Sequence, residues 1–152
     1  LHPYTRLFLL LTTKGYTATE MLSPGFYQQL NAITFTAVEQ AFLVKLRAYL
    51  QPLQTQSGSS DLFLKQRQRG TDPHLTLAAL HKYLAGDSQR LGVPLKPVAL
   101  RQDFMLWFLN QHRTTEPTEI MQQLRLDETS LQYYQNLLRQ RDLRTLKATK
   151  TD

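Results

Sequence analysis

Apolar residues recur at helical spacing through most of the chain, and residues typical of helix ends separate the repeats. Near the start, Leu7, Leu10 and Leu11 share one helix face. Gly15 follows them and is predicted to end this helix, because glycine readily adopts the left-handed conformation of helix C-caps. The Ser-Pro pair at 23–24 predicts another start, with a short helix over GFYQQLNAI, because proline suits the first helical position.

Two capping boxes mark further helix starts. Thr17 with Glu20, and Thr36 with Glu39, have the spacing at which the side chain of each residue bonds the backbone N–H of the other. The helix that begins after Thr36 is predicted to end near Pro52. One face of this helix is predicted to be buried and consists of Val38, Phe42, Leu46, Tyr49 and Leu50.

The middle of the chain alternates polar and helical patterns. Residues 54–60 (QTQSGSS) are small and polar without a period, which predicts a flexible loop or an interdomain linker. The stretch DLFLKQRQRG, residues 61–70, is short enough to be either a strand or a helix. Asp72 is predicted to cap a helix that has Pro73 at its first position and stops at Gly86. The predicted buried stripe of that helix consists of Leu77, Leu80 and Leu84.

Two prolines in residues 92–97 (GVPLKP) predict an extended connection, and Pro97 is predicted to open the next helix. Residues 104–109 of that helix are apolar on every side, which is typical of an element packed at the centre of a fold. Helical patterns therefore dominate, and the sequence predicts an all-α fold, a multi-helix bundle that ends in a trihelical unit. The predicted organisation is an N-terminal helical unit over residues 1–53, a polar and basic loop over 54–70, and a C-terminal helical unit over 71–152.

Two short helical patterns meet in residues 119–141 (EIMQQLRLDETSLQYYQNLLRQR). A tight turn between them predicts apolar contacts on the inner faces of both helices. Asp127 is predicted to be the N-cap of the second helix, since its carboxylate can accept from free N–H groups of the first turn. The residues predicted to form these inner contacts are Ile120, Leu124, Leu126, Leu131, Tyr134 and Leu138.

On these residues the chain resembles the helix-turn-helix superfamily, including its winged-helix members, over residues 98–141. The pattern E-I-x-x-x-L-x-L-[SD]-x-x-[ST]-[VL], common in that superfamily, stands here as EIMQQLRLDETSL. Two positions depart from it: Arg125 occupies the turn position usually held by glycine, and Met121 occupies a position usually held by a small residue. We expect Met121 to push the two helices apart or to require local repacking.

The resemblance implies that the outward face of the second helix reads double-stranded DNA in the major groove. Gln132 and Asn136 have the paired donor and acceptor that suit adenine, whereas Thr129 and Tyr133 suit phosphate or a thymine methyl group. The negative charge of Glu128 opposes phosphate there. Basic residues would lie near the DNA backbone, partly as a basic tail in place of a truncated wing: Arg139, Arg141, Arg144, Lys147 and Lys150. Equally, all these side chains fit the solvated face of an amphipathic helix.

The formal net charge of +6 favours an acidic partner, of which nucleic acid is the commonest. Lys65, Arg67 and Arg69 alternate with glutamine in KQRQRG without an intervening acid. They are predicted either to grip phosphate beside the helix-turn-helix or to form a solvated loop.

The sequence shows no recognisable pattern of catalytic or metal-binding residues. The chain has no cysteine, which excludes disulfides, thiolate zinc sites and cysteine nucleophiles. His2, His74, His81 and His112 are dispersed and are predicted to be structural, with no carboxylate ligand beside His74 or His81. There is no P-loop, no G-x-G-x-x-G and no nucleophile elbow, so we expect a protein that is not an enzyme and needs no cofactor.

The longest aliphatic run, LFLLL at residues 7–11, is far shorter than the ~18 residues that a membrane span needs. The first residues lack the order of a signal peptide, so a cytoplasmic location is expected. The preferred function is non-enzymatic DNA binding, as in transcription regulation, replication or mobile-element machinery, with an N-terminal unit that can form a homodimer. The alternative is an all-helical adaptor whose basic surface meets an acidic protein partner.

Overall fold

The structure, a computed structural model, describes residues 1–67 and 70–150, and over these residues it is all-α, as predicted. The described residues form seven α-helices and one 3-10 helix. Within the described ranges there is no strand, and the one isolated antiparallel bridge joins Leu64 and His74. The elements are α1 (Pro3–Thr13), α2 (Ala18–Leu22), the 3-10 helix (Phe26–Ala32), α3 (Ala37–Ser57), α4 (Leu77–Leu91), α5 (Pro97–Gln111), α6 (Pro117–Leu124) and α7 (Glu128–Lys150).

Both predicted capping boxes are confirmed. At the start of α2 the Thr17 hydroxyl accepts from the backbone N–H of Glu20 at 3.2 Å, and the Glu20 carboxylate accepts from the Thr17 N–H at 3.0 Å. Thr36 and Glu39 form the same pair of bonds before α3, at 3.2 and 2.9 Å. These bonds satisfy N–H groups that have no partner inside the helix.

The short helix after residues 23–24 begins later than predicted and is of the 3-10 type. Gly25 precedes it with φ +81°, so Pro24 lies outside the helix rather than at its first position. The predicted stop at Gly15 is confirmed, since α1 ends at Thr13 and Gly15 has φ +90°.

Helix α3 corrects the prediction of a loop or linker after Pro52. The helix continues through Pro52 to Ser57 and ends at Gly58, which has φ +70°. The prediction that Val38 belongs to the buried face of this helix is also wrong, because Val38 is 81% exposed. The buried residues of α3 are Leu43, Leu46, Leu50 and Leu53. Burial of Leu53 holds the turn that contains Pro52 in helical form, and packing thereby overrides the low helix propensity of proline.

The predicted start of α4 at Asp72 and Pro73 is wrong. The N-cap is Thr76, whose hydroxyl accepts from the Ala79 N–H at 3.1 Å. Asp72 instead accepts from the backbone N–H of His74 at 3.0 Å, which closes a local turn.

The predicted end of α4 at Gly86 is also wrong. The helix passes through Gly86 and ends before Gly92, whose φ is +68°. Leu80 and Leu84 are buried as predicted, but Leu77 is 44% exposed. The buried stripe therefore lies one turn further along the helix than the sequence indicated.

The described residues form two compact units that differ from the three predicted segments. Unit 1 contains the described residues of Leu1–Leu11 and Thr17–Lys96. Unit 2 contains Thr12–Tyr16 and the described residues from Pro97 onward. The division falls at the predicted extended connection 92–97, and α5 begins at Pro97 as predicted.

Unit 1 buries aromatic and aliphatic side chains from α1, α2, α3, α4 and the segment around Leu64. Tyr4 is fully buried, and its hydroxyl group both donates to the carbonyl of Leu64 and accepts from the Leu64 N–H. Leu64 lies outside any helix or strand, and the Tyr4 side chain supplies the hydrogen-bond partners that its buried N–H and carbonyl groups need.

Helix α5 in unit 2 buries only one of its sides, whereas the sequence predicted that it would be covered all round. Met105, Leu106 and Leu109 are buried, whereas Trp107 is 55% exposed and Val98 is 81% exposed. The prediction that residues 104–109 are covered on every side is therefore wrong at Trp107.

Candidate nucleic-acid interface

A hydrophobic cluster in unit 2 is formed by α5, α6, α7 and the turn between α6 and α7. The inner contacts predicted for residues 119–141 are confirmed. The buried members of the cluster are Met105, Leu106, Leu109, Ile120, Leu124, Leu126, Leu131 and Leu138, and Tyr134 packs against it partly buried. Helix α7 is therefore anchored by its first three turns.

The turn between α6 and α7 accommodates both departures from the usual pattern. Arg125 adopts φ +56°, the conformation that glycine usually supplies at this position. The backbone N–H groups of Arg125 and Leu126 both donate to the carbonyl of Met121, the second at 2.9 Å. This pattern closes the C-terminus of α6. Met121 is partly buried against the hydrophobic cluster.

Asp127 caps α7 as predicted. Its carboxylate accepts from the backbone N–H of Ser130 at 2.7 Å, and this bond lowers the pKa of Asp127. The carboxylate therefore stays ionised at the positive end of the helix dipole. The cap fixes where α7 begins and which residues occupy its first exposed turn.

The predicted outward face of α7 is exposed in the structure. Thr129, Gln132, Asn136 and Arg139 are all exposed, and Tyr133 is 55% exposed. At 100° per residue these five side chains fall within an arc of about 120° around the helix axis. Glu128 is exposed at the start of the same face. We call the set of Thr129, Gln132, Tyr133, Asn136 and Arg139 the polar ridge.

Helix α7 is longer than predicted and continues through the residues that were expected to form a basic tail. It runs to Lys150, so no wing strand follows Arg141 within the described part of the chain. The continuous helix fixes the direction of each basic side chain. Lys147 lies about 60° from Gln132 and so shares the side of the polar ridge. Arg144 lies about 120° from Gln132, between the polar ridge and the side that carries Arg141.

Arg141 does not join the polar ridge. It is nine residues beyond Gln132, which places it about 180° around the helix axis. There it lines an open groove with residues of α5. The basic residues predicted together are thus divided between two sides of α7, and counting helical positions beyond Arg139 would have revealed this from the sequence.

A contact of the 12–16 segment with α5 and the turn was missed by the sequence analysis. The guanidinium of Arg101 donates to the carbonyl of Gly15 at 3.1 Å. The guanidinium of Arg125 lies 3.9 Å from the ring centroid of Tyr16, as a cation–π pair. These contacts join residues about ninety to a hundred and ten positions apart, and no local pattern signals them.

The acidic residue near the end of α7 is neutralised. Asp142 forms an ion pair with Arg113 at 3.0 Å. Apart from Glu128 it is the only carboxylate in the described residues of α7. The one acid that the sequence has between Glu128 and Lys147 is therefore paired with Arg113.

The predicted basic loop belongs to unit 1, whereas α7 belongs to unit 2. Lys65 is half-buried and its backbone N–H donates to the carbonyl of Pro73 at 2.8 Å, while Arg67 is exposed. Arg69 lies outside the described residues.

His74 has two carboxylate partners, which corrects the prediction that it has none. Its Nε2 atom lies 2.8 Å from Asp61 and its Nδ1 atom 2.7 Å from Asp72. Burial acts to lower the pKa of His74, but the hydrogen bonds to Asp72 and Asp61 outweigh it, so the pKa is raised. No group of three or more potential metal ligands occurs among the residues that the structure describes.

None of the helices in the described ranges has the length and apolar character needed to cross a membrane. Comparison of the chain with protein-family models, with curated proteins and with solved structures finds no match.

Proposed function

We propose that this protein binds double-stranded DNA by placing the polar ridge of α7 in the major groove. The observation that carries the proposal is the pairing of an exposed polar face with a buried apolar face on the first three turns of α7. A groove-reading helix needs both, because its scaffold must hold it rigidly while its outer side chains meet base edges.

Charge on the same side of the helix supports this proposal. Arg139 and Lys147 are exposed there and suit contacts to the phosphates on either side of the groove. Gln132 and Asn136 are one helical turn apart and suit adenine edges, where a good bidentate pair contributes ~1–3 kcal/mol of discrimination. Asp142, which would repel phosphate, is held by Arg113.

The proposal is tested by fluorescence anisotropy with a labelled mixed-sequence duplex at several salt concentrations. Binding should weaken steeply with salt, because each phosphate contact releases counterions. The double variant Arg139→Ala, Lys147→Ala should lower the slope of log K against log salt by about 0.9 for each lost contact. The matched control is Arg141→Ala, an exposed arginine of the same helix on its opposite side, which should leave the slope unchanged.

Two outcomes would refute DNA binding through the polar ridge. One is the absence of duplex binding even at low salt. The other is equal loss of affinity in Arg141→Ala and in the double variant, which would mean that charge alone, without the ridge, attracts DNA. The Gln132→Ala, Asn136→Ala variant adds a test of base reading, since it should reduce preference among duplex sequences and leave the salt slope intact.

A further inference from the structure

An open groove of about 440 Å³ runs between α5 and α7 on the side of α7 that faces away from the polar ridge. Its apolar lining residues, which we call the floor, are Leu106, Leu137 and Ala148, and Gln102 and Thr145 line it as well. Two exposed arginines, Arg141 and Arg144, also line the groove. The lining combines an apolar surface with positive charge and includes no carboxylate.

The arginines of the groove are available for a partner. They are three positions apart on α7, so their guanidinium groups project from neighbouring turns of one side. Across residues 1–67 and 70–150, neither arginine forms an ion pair with a carboxylate of the chain. Two like charges held beside an apolar floor are unfavourable to each other, and a partner that brings negative charge relieves this repulsion.

We propose that this groove binds an acidic amphipathic helix of a partner protein. Apolar side chains at helical spacing in the partner would cover Leu106 and Leu137, and carboxylates beside them would pair with Arg141 and Arg144. Helix-in-groove recognition uses this combination of apolar anchors and flanking charge, and arginine favours carboxylate because two parallel hydrogen bonds can form. The inference goes beyond DNA binding and does not rest on it.

The chemistry of the groove favours an acidic protein over the other occupants. A DNA backbone would satisfy the arginines, but it would leave Leu106 and Leu137 against a charged, hydrated surface. A second copy that presented the end of its own α7 would bring arginine and lysine against arginine. An acidic helix matches the floor and the charges together.

The test uses the full chain and a fluorescein-labelled synthetic peptide of about four helical turns, with leucine at positions i, i+3, i+4 and i+7 and mainly glutamate and alanine elsewhere. Anisotropy should show saturable binding. The double variant R141E/R144E should raise Kd by about tenfold or more, because it replaces attraction by repulsion. Ala148→Asp should also weaken binding, since it places a carboxylate in the groove. All three substitutions are at exposed positions of α7, so circular dichroism should show an unchanged fold.

The matched control is R139E, a charge reversal on the polar ridge, which should leave peptide affinity within about twofold. The same variants are measured with duplex DNA. R141E/R144E should impair the peptide far more than the duplex, and R139E should do the reverse if the proposed function also holds. Loss of duplex binding in R139E is not required for the groove proposal, so the two proposals fail separately.

Three results would overturn the groove proposal. The first is no binding of the acidic peptide, and the second is equal binding of a scrambled peptide of identical composition, which would show attraction by charge alone. The third is a loss of duplex binding in R141E/R144E that matches or exceeds the loss of peptide binding, which would assign the groove to DNA.

Discussion

Gly15 packs directly against the backbone of Leu124, the last residue of α6. A Cβ carbon at position 15 would overlap the Leu124 carbonyl group and lie 3.2 Å from its Cα atom. Gly15 also has φ +90°, a conformation that other residues rarely adopt. The glycine is therefore required twice, for its backbone conformation and for the close approach. Through this contact the 12–16 segment supports the turn from which α7 begins.

Replacing Gly15 with alanine should destabilise unit 2 by about 2 kcal/mol or more, because strain at positive φ adds to steric overlap with backbone that cannot move aside. The shift in the urea midpoint measures this. Gly58→Ala is the control, since Gly58 has φ +70° but no atom within 4 Å of an added Cβ. It should cost only about 1 kcal/mol. Equal costs for the two variants would show that the approach to Leu124 has no energetic weight.

Tyr4→Phe should destabilise unit 1 by about 1–3 kcal/mol, because it leaves both the N–H and the carbonyl of Leu64 buried without their partner. Burial raises the pKa of Tyr4, so the hydroxyl stays protonated and remains a donor at all ordinary pH values. Chemical denaturation gives the free energy of unfolding. Tyr133→Phe serves as the control, since Tyr133 is 55% exposed and should change stability little. A Tyr4→Phe variant as stable as this control would contradict the role assigned to the hydroxyl.

Local signals allowed the sequence to predict the parts of the fold that depend on a few neighbouring residues. The capping boxes at Thr17 and Thr36 are self-contained, because all their bonding groups lie within four residues. The turn before α7 was predicted for the same reason, from Asp127 and the apolar residues around it. The exposed face of α7 follows from the helical period once the inner face is known.

The remainder depends on contacts that are distant in the sequence. Gly15 carries a turn signal, but nothing near it indicates that Leu124 lies against it. Similarly, Asp72 resembles an N-cap in the sequence, yet its carboxylate forms hydrogen bonds with His74. Helix α4 is capped by Thr76 instead. The sides on which Arg144 and Lys147 lie could be assigned only once the helix was known to continue past Arg141.

In helix α3, packing of distant residues outweighs a local signal, because the helix continues through Pro52. This feature leads to a testable prediction. Pro52 cannot donate a backbone hydrogen bond, so the Ala48 carbonyl four residues earlier lacks that donor. Pro52→Ala should therefore raise the free energy of unfolding by about 1 kcal/mol or more. The control is Pro97→Ala, at the first position of α5, where proline is favourable and its replacement should give no gain. A destabilised Pro52→Ala variant would mean that proline stabilises α3, through restriction of the unfolded chain.

His74 links two carboxylates of unit 1, and its protonation connects the stability of this unit to pH. Asp61 is buried, and besides His74 it accepts from the backbone N–H groups of Gly25 and Tyr27, at 2.8 and 3.1 Å. Through Asp61, the His74 imidazole therefore connects the segment before α4 with the residues at the start of the 3-10 helix. Because the pKa of His74 is raised on folding, protonated His74 favours the folded state.

This stabilisation is complete below the ordinary histidine pKa of 6.5 and is lost as pH rises through the higher pKa of the folded protein. His2 acts in a different range. Burial lowers its pKa, so its contribution changes below pH 6.5. Subtracting the free energy of unfolding of His74→Gln from that of the wild type should therefore give a stabilisation that is constant near pH 6 and declines above pH 6.5. Urea unfolding across this range measures the difference, with the exposed His81→Gln as control. A difference that stays flat, or grows with pH, would show that the contact of His74 with Asp61 and Asp72 does not favour its protonated form, since only preferential proton binding by the folded state produces a decline.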